Sequence, residues 1–346
     1  MTTRNFAIVR RHASPTPGTQ GRFEVLQPDS PRYILLAAAW NKSVDAILSD
    51  RGIIAVHAYL AMELLAHGEA GIHRNHPFVI GMARLLMGKL SAQTPLLVDD
   101  GTFTTTQIVA EHPRGSWSGT HNDFNIRAQA IKLNSVWVNL GVQAMEIYRS
   151  NPTDLTSAIF QLNLLRLIHG YLHETGHLLQ TYIGHGLRNT PPPMSVGRLS
   201  RGDGPEGGEV FEKMMIGGLL DFYNDSSQLG RHVGFPWISF DLDSSDGSNQ
   251  QEHARRVSLY SIGLFLQPNW QGGSGPIITT SERTSTVLRL GLDRPRIPGA
   301  SVVSTLRPSQ AVINTVRAGL GPPQPGNDMD ASTLRRFSSP PVHSEP

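Results

Sequence analysis

Leu167-Ile168-His169-Gly170-Tyr171-Leu172-His173-Glu174-Thr175-Gly176-His177-Leu178-Leu179 is the stretch on which the reading of this chain turns. Residues 173–177 are an HExxH sequence inside an apolar run. On a helix, positions four apart lie on one face, so the His173 and His177 rings can converge on one metal ion. Glu174 lies between them, turned partly aside, within reach of a water at that ion. A glycine inside a helix costs up to about 1 kcal/mol relative to alanine. Gly176 therefore points to a close neighbour, at the metal or at an edge strand.

Working outward, the 346-residue chain suits one large domain or two modest ones and can bury a substantial core. It has no cysteine, so a metal here would be held by His, Asp or Glu. No apolar run reaches membrane-spanning length, and residues 1–21 lack the apolar core of a secretory signal. No membrane association is expected, and a cytoplasmic location is favoured. The net charge of +2 is spread thinly, almost all of it on arginine, with lysine only at Lys42, Lys89, Lys132 and Lys213. Nucleic acid is not an expected partner.

Residues 1–25 are expected to be a flexible arm. Residues 26–320 should form a single catalytic body, and 321–346, rich in Pro and Ser, a disordered tail. Helical periodicity covers Ile53–Leu65 and Pro77–Leu90. Strand-like runs cover Pro95–Val98, Thr104–Val109 and Ile131–Leu140. Asn151-Pro152 starts a helix that reaches about Tyr182, whole or broken near Gly170. After a loop over 184–208, a further helix is expected to about Tyr223. The region from Val233 to Leu320 has no clear pattern.

The segment resembles the zincin metallopeptidases, in which two histidines and a third residue bind zinc and the motif glutamate is general base. The resemblance covers 131–140, the helix through 182 and the helix after 207. It implies an α+β, zincin-like fold: a small mixed sheet, an active-site helix with HExxH, and a second helix with the third ligand. The metzincin continuation would need Gly at 180 and His at 183, where this chain has Gln180 and Ile183. The gluzincin form takes a glutamate from a downstream helix instead. Pro205-Glu206-Gly207-Gly208-Glu209-Val210-Phe211-Glu212-Lys213 resembles that element. Together with Met214 to Gly218 it is also similar to a pattern in uncharacterised fungal HExxH proteins.

Three carboxylates compete for the third position. A helical projection places Val210, Phe211, Met214, Met215 and Phe222 on one apolar face. Glu206 borders that face, Glu212 is intermediate, and Glu209 points away, beside Lys213, toward solvent. The expected metal ligands are therefore His173, His177 and Glu206, with Glu212 next and Glu209 last. His169 extends the histidine stripe by one turn. It is expected to be a core histidine satisfied by a backbone carbonyl, the alternatives being a ligand or a donor behind one. His57, His67, His73 and His76 have no ligand spacing and are expected to be structural or at the surface.

The resemblance implies a Zn2+-dependent peptidase acting on a peptide or protein, with Glu174 as catalytic base. Tyr182, His185 or Tyr223 could supply an additional donor, and the 131–140 strand could pair with an extended substrate. Two alternatives stand beside it: a non-catalytic zinc-binding or interaction protein on the same scaffold, and a metal-free protein with a fortuitous motif.

Overall fold

The computed structural model describes residues 7–13, 22–66, 69–104, 109–113, 117–184, 207–223, 235–240, 253–280 and 288–289. Its first strand, β1 (Ile8–Arg11), lies inside a sheet. It is antiparallel to β2 (Phe23–Val25) and parallel to β3 (Leu96–Asp100). The expected flexible arm over 1–25 is corrected to that extent. Charge concealed the strand: Arg10 and Arg11 are not solvated ends but lie against Asp99 and Asp100, at 3.6 and 3.4 Å. Arg32 and the Ser135 hydroxyl also reach Asp99, so this fully buried carboxylate is compensated, as a buried charge must be.

On the other side of β3, β5 (Ala130–Asn134) is parallel. Outermost is β4 (Ala110–Glu111), antiparallel to β5. The order β2-β1-β3-β5-β4 makes a small mixed sheet. Two readings of 131–140 are corrected by it. The strand stops at Asn134, whose side chain accepts the Val136 amide at 3.0 Å and starts helix α4 (Ser135–Ser150). The β-branched pair around Trp137 thus belongs to a first helical turn, where the capping asparagine outweighs strand propensity. β5 is also not the sheet edge, since β4 covers it. Of the expected strand over Thr104–Val109, residues 105–108 lie outside the described residues.

The helices expected near 53–65 and 77–90 are α2 (Asp50–Ala66) and α3 (Pro77–Ala92). Helix α1 (Pro31–Ile47) has Ser30 as cap, its hydroxyl accepting the Tyr33 amide, and Pro31 in the first turn. Helix α5 (Asp154–Gly184) runs unbroken through Gly170. It is buried on nearly every side, packed among α1, α4, the edge of the sheet and elements further along the chain. A helix surrounded in this way is apolar all round, which explains its weak amphipathic signal.

Beyond 207 the expected single helix is two elements. Helix α6 (Gly207–Ile216) stops at Gly217, whose φ of 90° is a left-handed value that glycine adopts without strain. The chain then enters β6 (Leu219–Tyr223), which starts a second, antiparallel sheet with β7 (Phe235–Phe240), β8 (His253–Arg256) and β9 (Leu288–Arg289). Helix α7 (Leu259–Leu266), with Ser258 as cap, packs on α5. The mixed α+β class stands. The tail over 321–346 lies outside the described residues. No helix among those described is long and apolar enough to cross a membrane.

Candidate metal centre

Helix α5 brings His173, Glu174 and His177 together: one ligand atom from each lies within 4.8 Å of the other two. Glu174 and His177 are buried, and His173 is partly exposed. The glycines explain how the neighbours come so close. A methyl group on Gly176 would fall 2.8 Å from the Gly207 carbonyl oxygen and 2.9 Å from the Gly208 Cα, so here α6 meets α5 backbone to backbone. A methyl on Gly170 would fall 2.9 Å from Val109, next to the edge strand β4. On Gly208, a Cβ would overlap Nε2 of His173. The start of α6 thus forms a wall of the site that a side chain would fill.

The second carboxylate-bearing helix differs from its projection. Glu209, expected in solvent, is buried, and so is Glu212. Val210 and Met214, expected on the inner face, are only partly buried. Gly207 and Gly208, together with Phe211, form the face that α6 turns toward Gly176 of α5. Glu206 lies outside the described residues, as does His185.

Glu212 has a defined environment. Its Oε2 is 3.5 Å from Nδ1 of His173, and its Oε1 accepts the Leu220 amide. Nε2 of His169 is 2.9 Å from Oε2, within ion-pair distance but out of line for a hydrogen bond. His169 is therefore buried against a carboxylate, not satisfied by a backbone carbonyl as expected. Burial alone would raise the Glu212 pKa. Its attraction to His169, and then to His173, outweighs that and brings it down to about 2.

This has a consequence for stability in the metal-free protein. A carboxyl depressed from an ordinary value near 4.3 stabilises the fold fully above that value and loses its contribution as pH falls toward about 2. Glu212→Gln should cost on the order of 2 kcal/mol at neutral pH. The gap between thermal melts of the two proteins should narrow below about pH 4 and close at about pH 2; a gap that stays constant from neutral pH down to about pH 2 would contradict the assignment.

Three residues of this neighbourhood were not singled out in the sequence. The backbone amide of His112, just after β4, donates to Oε2 of Glu174 at 2.6 Å. The His112 ring spans two elements, with Nδ1 2.7 Å from the Ala130 carbonyl and Nε2 3.1 Å from the Thr181 hydroxyl. Nothing in the local sequence marks it. Gln180 Oε1 lies 3.2 Å from Nδ1 of His177, and Gln180 Nε2 donates to Glu63 at 3.2 Å. Gln180 was visible as the residue one turn after His177. Glu63 was visible as a carboxylate inside the apolar run Leu60-Ala61-Met62-Glu63-Leu64-Leu65, where a charge needs a reason.

Of the donors suggested for a developing oxyanion, Tyr182 is excluded. It is fully buried, its hydroxyl faces the Met82 carbonyl at 3.4 Å, its ring packs on Trp117 and Phe124, and burial pushes the phenol far above its ordinary pKa. His57 is partly buried, and His76 caps α3 by accepting the Phe78 amide, in line with structural or surface roles. Comparison of the chain with protein-family models, with curated proteins and with solved structures finds no match.

Proposed function

We propose that the chain is a zinc-dependent metallopeptidase of zincin-like fold, with a peptide or protein as substrate. The observation that carries this reading is the convergence of His173, Glu174 and His177 within 4.8 Å on one buried helix. The donor set suits the metal: two imidazoles and carboxylates, with no thiolate in the chain. Both rings have Nδ1 engaged, by Glu212 and by Gln180, so both would offer Nε2.

Zinc bound there would polarise the scissile carbonyl and acidify water. His173 and His177 would hold it. Glu174 would take the proton of the attacking water and pass it to the departing amine. The His112 amide fixes one oxygen of that carboxylate, so Glu174 meets the reactants in a set orientation.

Glu212 faces Nδ1 of His173, which suits a carboxylate behind a ligand better than a ligand. Glu206 and Glu209 flank Gly207-Gly208 in the sequence. Glu206 is the proposed third ligand and Glu209 the alternative. Glu206→Gln should lower zinc affinity at least 100-fold, and Glu209→Gln less than about tenfold. The reverse order, read by chelator competition, would transfer the role to Glu209.

The reading as a whole is tested on untagged protein. About one zinc per chain is expected. Hydrolysis of unstructured protein should stop with a chelator and return with zinc. Protein free of metal would overturn the reading. Metal without turnover would leave the non-catalytic zinc-binding alternative.

A further inference from the structure

We propose that Glu63 and Gln180 fix the tautomer of His177, and so decide which ring nitrogen it offers to a metal. The proposal rests on the metal reading above but adds two residues outside the motif. The bonds dictate one another in sequence. An ionised carboxylate only accepts hydrogen bonds, whereas a carboxamide has one donating and one accepting end. Glu63 on α2 is 1% exposed, and its Oε1 lies 3.2 Å from Nε2 of Gln180. With Glu63 ionised, the amide nitrogen of Gln180 faces it, which is the orientation the structure has. The carbonyl end is then left for Nδ1 of His177, 3.2 Å away. A carbonyl only accepts, so Nδ1 carries the proton and Nε2 carries the lone pair.

A flipped Gln180 would reverse each step. Its oxygen would face the Glu63 carboxylate, its NH2 would face Nδ1, and the ring proton would move to Nε2, where it blocks a ligand bond. Packing also restrains the amide. Gly207 lies so close that a Cβ there would overlap the Gln180 carboxamide. Three helices therefore meet at this amide: α2 supplies the carboxylate, α5 the glutamine and histidine, and α6 the glycine that leaves room. Glu63 and Gln180 are positioning residues, acting through His177.

The test uses the full chain with 15N-labelled histidine, stripped of metal, at about pH 8, above the ordinary imidazole range. Long-range 1H–15N correlation spectra report the His177 tautomer, with the signal assigned by its absence in His177→Ala. The wild type should show the proton on Nδ1. In Gln180→Met and Glu63→Gln, both close in size to the originals, the Nδ1–H population should fall. Zinc affinity by chelator competition should fall with it, about 10- to 100-fold for Gln180→Met. A wild-type proton on Nε2, or a tautomer unmoved in both variants, overturns the proposal. If the tautomer responds as expected but the wild type binds no zinc, the relay stands and the metallopeptidase reading falls.

Discussion

If the chain is the zinc peptidase proposed above, Glu174→Gln should keep zinc and lose hydrolysis by roughly 10²- to 10⁴-fold in kcat, the usual range for removing a general base. The substitution is nearly isosteric, and the amide oxygen can still accept from the His112 backbone, so the bond that now holds Oε2 at 2.6 Å has a successor. What disappears is the capacity to take up a proton. The effect should therefore fall on kcat, with little change in KM and none in metal content. The acid limb of the pH–rate profile that reports this base should vanish with it. A variant that turns over at the wild-type rate would remove Glu174 as base. A variant that loses zinc as well would show that Glu174 is needed to hold the metal, a role its nearness to both histidines allows.

His173→Ala should release the metal. Small zinc sites contribute roughly 10–16 kcal/mol, and sharing this among three or four ligands assigns about 4 kcal/mol to each, or about three orders of magnitude in Kd. The fold should survive, because His173 is the least buried of the three side chains and its removal opens space against Gly208 without stranding a core packing group. Glu212 keeps the Leu220 amide and His169 as neighbours. Metal content, thermal melting and circular dichroism together separate loss of zinc from loss of structure. Undiminished zinc in a folded His173→Ala protein would sink the ligand assignment.

How much of this was legible in the sequence depended on whether the signal was local. The motif helix, α2, α3 and β3 are legible from apolar spacing within their own residues and, for α3, from Pro77 in its first turn. The start of the motif helix is corrected, because Asn151 and Pro152 precede it and the Thr153 hydroxyl, not Asn151, accepts the Thr156 amide ahead of Asp154. Strand β1 could not, since the partners of Arg10 and Arg11 come from a strand far along the chain. The strand-to-helix switch at Asn134 and the helix stop at Gly217 each rest on one residue, so a window average passes over both. A helical projection puts Glu209 in solvent because it assumes that the most apolar side faces inward, whereas Glu209 is buried. Here Gly207 and Gly208 decide the contact by having no side chain. At the site, HExxH could be read directly, while Glu63, 117 positions from Gln180, was brought in by tertiary structure alone.

The placement of β1 has a consequence for how the molecule assembles. Ile8 pairs with Leu97, so this strand leaves the ribosome well before its parallel partner, some ninety positions later. Until then only the short hairpin with β2 can engage it, and a lone hairpin is marginal in water. Helices α1, α2 and α3 can form in the meantime from local contacts. Closure of the sheet is therefore a late, long-range event, and slow association of β1 would leave an unpaired edge of β3 open to another chain. The arginines of β1 oppose that association with strangers, since they favour the one neighbour that presents Asp99 and Asp100 at the matching end.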